Sequence, residues 1–270
     1  MSQSAQSSIL FNTKSSVRAD PFVSAKDAVY TVLYESASLH DAARKATNDI
    51  HQDLHSQPLL RSLFSPGLNA DQYLNVVRVF DQLYADVAKL LQNLLREVQA
   101  SSEAYFHVRD EAVGKVYLQQ FLQDTILRQD RDCARLSYDL AALSEAPSAA
   151  KEYANIPNIT GMHSHPLEII IAWRYLSEGS RLGSSVIHRQ LVKLDWYKAA
   201  LLNSFYRLRT AADEAVWNSL VALLNGQVHS VNRLECGAAS VQFDVTAFLQ
   251  AARFFFSLTL DRFNQATQAI

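Results

Sequence analysis

Glycine and proline punctuate this chain thinly: there are seven glycines and six prolines in 270 residues. Average usage would place roughly 12% of residues in those two types. A sandwich, a barrel or a doubly wound sheet needs a Gly- or Pro-bearing turn about every ten residues, and this chain cannot supply them. The expected fold is therefore all-α, a set of long helices around one core. Apolar residues make up 49% of the chain and charged residues 19%. That is ample for a buried interior and too little charge for a disordered polymer.

The net charge is −2, and no segment is strongly basic, so the counterion-release footprint of a nucleic-acid binder is missing. No apolar run approaches the roughly 18 residues that suggest a bilayer span, so no membrane partner is expected. The segment Met1–Ser16 is rich in Ser and Gln and has no apolar h-region; a cytoplasmic location is expected. Cys133 and Cys236 are too few and too far apart for a disulfide framework or a zinc site, and are expected to serve as small buried hydrophobes. A monomer is the default expectation.

Residues 1–38 are expected to form an N-terminal extension, a mobile tail to Pro21 followed by a candidate extra helix on Val23, Ala28, Val29, Val32 and Leu33. The main domain is expected over 39–267. Its first helix is marked by Leu39, Ala43, Ala46, Ile50 and Leu54, recurring every three or four residues, and should end near Pro58. After Ser65-Pro66-Gly67, Asn69 with Gln72 has the form of a capping box. It opens a long helix on Tyr73, Val76, Phe80, Leu83, Val87, Leu90, Leu94 and Val98. A further helical region, about Ala112–Leu143, is expected to break near Asp124, where the apolar register shifts. The stretch from Pro147 to Pro166 is expected to be irregular and to leave His163 and His165 exposed. Pro166 suits the first position of a helix, continuing to about Leu194. Shorter helices are expected over Tyr197–Arg209 and Asp213–Asn225, and a last one over Val241–Phe263.

Several chemistries can be set aside. The chain has no GxxxxGK[ST] or GxGxxG phosphate loop, no GxSxG nucleophile elbow and no HExxH. None of its ten glutamates is followed three residues later by His, which removes the paired Glu-x-x-His of a di-iron carboxylate bundle. Two features remain. His51 lies at the edge of its helix's apolar stripe, where a neutral imidazole can stand over a flat cofactor and ligate iron. Arg44 and Lys45, two turns earlier, lie within reach of acidic groups at the same edge. The plainer alternative is a partly buried histidine with solvated neighbours, and His51 with His55 at i,i+4 has zinc-like spacing but no evident third ligand. The second feature is Gly179-Ser180-Arg181-Leu182-Gly183-Ser184 inside a helix. An interior glycine costs about 1 kcal/mol relative to alanine. Two of them four apart strip one face to backbone, for a large planar ligand, a kink or close helix packing.

Taken together, Arg44-Lys45-Ala46-Thr47-Asn48-Asp49-Ile50-His51 and Ala172-Trp173-Arg174-Tyr175-Leu176-Ser177-Glu178-Gly179-Ser180-Arg181-Leu182-Gly183 resemble the proximal and distal helix motifs of the heme oxygenase family, in its bacterial, biliverdin-producing branch. Arg131–Leu143, Trp217 and Ala251-Ala252-Arg253-x-x-Phe256 are similar as well, so the likeness covers roughly residues 40–265. The resemblance implies heme held between a proximal and a distal helix as both cofactor and substrate. Dioxygen and electrons from an external donor, a reductase or ferredoxin, would open the ring to biliverdin, carbon monoxide and ferrous iron. It implies His51 as the iron ligand and Gly179, Ser180 and Gly183 as the distal catalytic wall. Arg44 would pair with a propionate, and Thr47, Tyr175, Ser184 and Phe256 would complete the cofactor pocket. Ser180 stands where animal relatives carry a water-organising aspartate, and Ser184 where many relatives carry another glycine. The alternative on the same fold is a non-catalytic heme or bilin binder. His188 and Arg189, one turn beyond, are expected to be solvated.

Overall fold

The computed structural model describes residues 36–100, 111–143, 165–200, 205–225, 233–236 and 239–268. The expected N-terminal extension up to residue 35, and His163 with most of its loop, lie outside the described residues. Among the described residues the architecture is helical: α1 (Leu39–Ser56), α2 (Pro58–Ser62), α3 (Ala70–Ala100), α4 (Glu111–Leu143), α5 (Pro166–Leu191), α6 (Asp195–Ala200), α7 (Ala211–Asn225) and α8 (Val245–Gln268). One small antiparallel pair, β1 (Arg233–Cys236) with β2 (Ala239–Gln242), interrupts the helical pattern, Arg233 facing Gln242 and Cys236 facing Ala239.

Most boundaries follow local chemistry that the sequence carries. The capping box at α3 is reciprocal: Asn69 N donates to Gln72 Oε1 (3.2 Å) and Gln72 N to Asn69 Oδ1 (2.9 Å). Pro166 opens α5 as expected. The last helix differs, starting at Val245 rather than Val241. Asp244 fixes that start, its Oδ1 accepting the Ala247 N–H at 2.9 Å. Glu168 of α5 holds Asp244 in turn by accepting its N–H at 2.6 Å, and burial pushes that glutamate up to about 7. The helix expected over Tyr197–Arg209 does not reach that far: α6 is described over Asp195–Ala200, and residues 205–210 are not helical. Past it, side chains take backbone donors that a helix would have used: Phe205 N donates to Asp139 Oδ2 (3.0 Å), Arg209 N to Ser185 Oγ (3.3 Å) and Thr210 N to Asp213 Oδ2 (2.9 Å).

The break expected near Asp124 is absent, and α4 runs unbroken. Its buried row is Leu118, Leu122, Thr125, Gln129, Asp132, Leu136 and Asp139, alternating steps of four and three as one helix face requires. Four of the seven are polar, so the apolar pattern lapses while the helix continues. Thr125 turns its hydroxyl back onto Phe121 O of its own helix (2.8 Å), and the other three reach across to neighbouring elements. Gln129 donates to Tyr84 O of α3 (2.6 Å) and accepts from Trp173 Nε1 of α5 (2.9 Å). Asp139 accepts the Tyr73 hydroxyl of α3 (2.6 Å), and burial pushes its carboxyl up to about 6.

The core joins α3 to α4, and both α1 and α5 to α8. Trp173, Tyr84, Phe248, Phe255 and Phe263 are wholly enclosed, each large apolar side chain contributing about 1.5–3 kcal/mol by leaving water. A buried pair, Arg262 Nη2 on Asp86 Oδ2 at 2.9 Å, ties α8 to α3. Cys133 is partly buried, its thiol pushed up to about 12 by burial and the carboxylates of Asp81, Asp130 and Asp132. Cys236 sits in β1.

Candidate functional site

Helix α1 is built to show one polar face while burying the other. Ser38 caps it, Oγ accepting the Asp41 N–H at 3.0 Å. Leu39, Ala42, Ala43, Ala46, Ile50 and Leu54 are buried. Residues eleven apart come round to within about 20° of each other and lie about 16 Å apart along the axis. His40 and His51 therefore share a face, with Arg44 and Thr47 between them. The Thr47 side chain is buried, and its hydroxyl donates to Ala43 O at 2.8 Å. Arg44 is 71% exposed and, among the described residues, is held only by Asp41 of its own helix, at 3.2 Å.

His51 is exposed, its ring edge-on to His55 (centroids 4.4 Å) and to Phe256 of α8 (5.9 Å). Desolvation, and then the neighbouring His55, hold its pKa below the ordinary histidine value. At neutral pH the imidazole keeps a lone pair for a metal. Among the described residues no group of three or more His, Cys, Asp or Glu gathers to hold a metal ion, so His51 and His55 gain no third donor there. Arg253 of α8 clamps this part of α1, both terminal nitrogens donating to Asp49 (3.0 and 2.9 Å) and one also to Ala46 O. Burial pushes the Asp49 carboxyl up, but Arg253 together with the backbone N–H groups of Ile50 and Asp49 holds it below its ordinary value.

Helix α5 presents the small-residue face. A Cβ at Gly179 would meet the Trp217 ring of α7 at 3.5 and 3.6 Å, an ordinary contact. A Cβ at Gly183 would meet nothing within 4 Å. The glycine nearer α7 is thus covered by an indole, and the next faces open space. The Ser180 hydroxyl donates to Ser177 O at 2.9 Å, and Ser184 is buried. Tyr175 is buried against Trp217 (5.9 Å), His40 (6.0 Å) and Phe248 (6.3 Å). Burial pushes its phenol up to about 12, with Arg44 pulling the other way.

The charged side chains beside the glycines fix where that face points. Glu178 and Arg181 lie on the side of α5 turned to α4 and α7. The Arg181 guanidinium bonds Asp132 of α4 and lies 3.7 Å from Glu178 and 3.8 Å from Asp213 of α7. Glu178 is also 3.7 Å from Arg128 of α4. One turn earlier, Arg174 reaches Asp124 at 3.1 Å and covers the Phe121 ring at 4.6 Å. These links hold α5 on that side while Gly183 stays bare.

The expected site residues fall into two groups. His51 and Phe256 are in contact at the α1–α8 edge, beside Arg253. Tyr175 and Gly179 meet Trp217 at the α5–α7 edge, and Gly183 and Ser184 continue that side one turn on. Both α1 and α5 pack on α7 and on α8, and the rings of His40 and Tyr175 meet between them. Sequence reasoning missed His40, although its eleven-residue separation from His51 was a usable signal. It also assigned Trp217 no contact in the site. His188, expected to be solvated, is instead half-buried, with Nδ1 2.9 Å from Tyr206 O and its ring edge-on to Tyr197. Arg189 is exposed and donates to Ser185 O at 3.0 Å.

Among the described residues no helix is long and apolar enough to cross a membrane. No protein-family model matches the chain, and no curated protein matches it in sequence. Among solved structures, the heme oxygenase from Leptospira interrogans is similar over 84% of this chain and 99% of its own, with 12% sequence identity and a TM-score of 0.45.

Proposed function

We propose that the chain binds heme between α1 and α5 and opens the ring oxidatively to biliverdin, carbon monoxide and ferrous iron, using dioxygen and electrons from an external reductase or ferredoxin. The observation that carries this reading is the bare face of α5. The helix is unbroken across Gly179 and Gly183, and at Gly183 the space that a side chain would fill is open. The other groups also fit a porphyrin iron. His51 is an exposed imidazole kept neutral by its surroundings, and Phe256 offers an aromatic edge beside it.

Bound there, heme would supply both the redox-active iron and the ring that is cleaved. The roles of the chain's own residues follow from their positions. His51 would hold the iron through a neutral nitrogen. Arg253, gripping Asp49 and Ala46, keeps the His51 turn of α1 at a set height over α8. Gly183 and the small Ser184 let backbone approach the ring, and Thr47, with its hydroxyl turned back onto Ala43, presents a methyl-sized wall. Arg44, loosely held by Asp41, is available to a ring carboxylate. Ser180 Oγ spends its proton on Ser177 O and keeps a lone pair for the proton of an ordered water.

A specific observation favours the second reading, a heme or bilin binder without turnover: the Trp217 ring lies on Gly179, over backbone that ring opening needs close to the iron. Reductive turnover separates the two. Hemin-loaded protein in air, given ascorbate or a reductase, is expected to lose its Soret band, gain bilin absorption and release carbon monoxide. A Soret band that persists through many reducing equivalents would establish the binder.

A further inference from the structure

Asp139 of α4 is a carboxylate where the fold needs only an acceptor. It is wholly enclosed, and one oxygen, Oδ2, accepts both the Tyr73 hydroxyl of α3 at 2.6 Å and the Phe205 N–H at 3.0 Å. The other oxygen, Oδ1, has no hydrogen-bond partner among the described residues. The buried aspartates Asp86 and Asp132 each hold an arginine, whereas the groups that favour the Asp139 charge are a phenol and one amide. Burying a carboxylate without a cation is costly, and an asparagine oxygen would accept the same two bonds. What the carboxylate adds is basicity: burial pushes it up to about 6, so near neutral pH it is mostly ionised and takes a proton more readily than an ordinary aspartate.

The phenol opposite is held the other way. Burial, and then the Asp139 charge, push the Tyr73 hydroxyl well above its ordinary value, so it does not ionise as an acid. Loss of an electron reverses this, because an oxidised phenol is a strong acid and a base lies 2.6 Å from its oxygen. Tyr73 also stands in a run of oxidisable rings. Trp196 of α6, half-buried, lies 5.6 Å from it, and Tyr206 lies 6.3 Å away. Phe205 bridges Tyr206 (5.2 Å) to Tyr84 (5.5 Å), and Tyr84 meets Trp173 of α5 at 5.2 Å. The rings thus continue from the helix of Gly179 and Gly183, through the core, to a tryptophan that reaches the surface.

We propose that Tyr73 is a proton-coupled electron donor with Asp139 as its proton acceptor, and that the ring run carries an oxidising equivalent from α5 to Trp196. In the step, a one-electron oxidant takes one electron from Tyr73 and is itself reduced by one electron. The phenolic O–H bond breaks, the proton bonds to Asp139 Oδ2, and a neutral tyrosyl radical faces a neutral carboxylic acid. The oxidant is heme iron activated by peroxide. A one-electron reductant in solution, such as ascorbate, returns the electron through Trp196, and the proton goes back to the phenol. Such a path drains misdirected oxidation out of the interior. Its source of oxidant rests on the heme reading; the Tyr73–Asp139 pair does not.

The ligand-free full chain tests the pair with photogenerated tris(bipyridine)ruthenium(III), followed by freeze-quench electron paramagnetic resonance. The wild type is expected to give a tyrosyl signal that forms more slowly in deuterated water. Tyr73→Phe is expected to remove that component. Asp139→Asn keeps an oxygen for both hydrogen bonds but removes the base, and is expected to lose the same component at an unchanged circular dichroism spectrum. Trp196→Phe should delay its appearance without altering its line shape, and Tyr138→Phe, at an exposed tyrosine outside the run, should leave it intact. A wild type without a tyrosyl signal, a signal indifferent to Tyr73→Phe, or one that Asp139→Asn leaves at full strength would overturn the proposal. The hemin-loaded chain given hydrogen peroxide is expected to show the same component. If the ruthenium oxidant yields it and hemin with peroxide does not, the Tyr73–Asp139 pair stands and heme falls as its oxidant.

Discussion

A glycine in the middle of a helix loses more backbone freedom on folding than any other residue, without side-chain contacts to offset it. Gly183 is such a residue, and an added methyl group there would meet nothing within 4 Å. Stability alone therefore gives no reason for glycine. Gly183→Ala is expected to stabilise the ligand-free chain by about 0.5–1 kcal/mol, visible as a higher thermal midpoint, while weakening hemin binding. A variant gaining stability with undiminished hemin affinity would show that the bare face does not meet the ligand. Spacing alone singled out the two glycines, because a helix pattern shows where glycine is out of place. It could not show that Trp217 covers one and leaves the other open, since that depends on how α7 docks. His40 escaped notice for the same reason: periodicity places it on the face of His51, but its ring partners lie 135 and 177 positions away in the chain.

At the scale of the element, α5 is held by charge on one side and left open at Gly183. Asp132, nearly enclosed, takes Arg181 from α5 and Arg135 from its own helix, and Glu178 lies between Arg128 and Arg181. Removing one partner of such a group leaves the other charge buried and unpaired. Arg181→Ala is expected to cost about 3–5 kcal/mol in chemical denaturation, and to impair hemin binding without touching the ligand. A loss under about 1 kcal/mol, the surface-pair range, would mean that water reaches these groups and that they do not anchor the helix. The same network explains why α4 looked interrupted. A helix whose buried row includes Thr125, Gln129, Asp132 and Asp139 loses its apolar stripe over that span, because Gln129, Asp132 and Asp139 face hydrogen-bonding groups on α3 and α5 and Thr125 bonds its own backbone. Such a row becomes readable as buried only once those partners are known.

At the scale of the whole molecule, the scarcity of glycine and proline was enough to anticipate a helical fold, and the Asn69–Gln72 box and Pro166 marked two helix starts. The β1–β2 pair was not anticipated; its two short strands fall below the length at which alternation stands out from a helix pattern. The contacts that matter most are also non-local: α1 and α5 both rest on α7 and α8, and the rings of His40 and Tyr175 meet from positions more than a hundred residues apart. The most direct test of that arrangement is a hemin titration of the wild-type chain beside His51→Ala, read by the Soret band and by the response to added imidazole. A sharp, saturable band is expected in the wild type, displaced or lost in His51→Ala and recovered when imidazole is supplied. A wild-type chain without a Soret band, or a band that His51→Ala leaves unchanged, would contradict it.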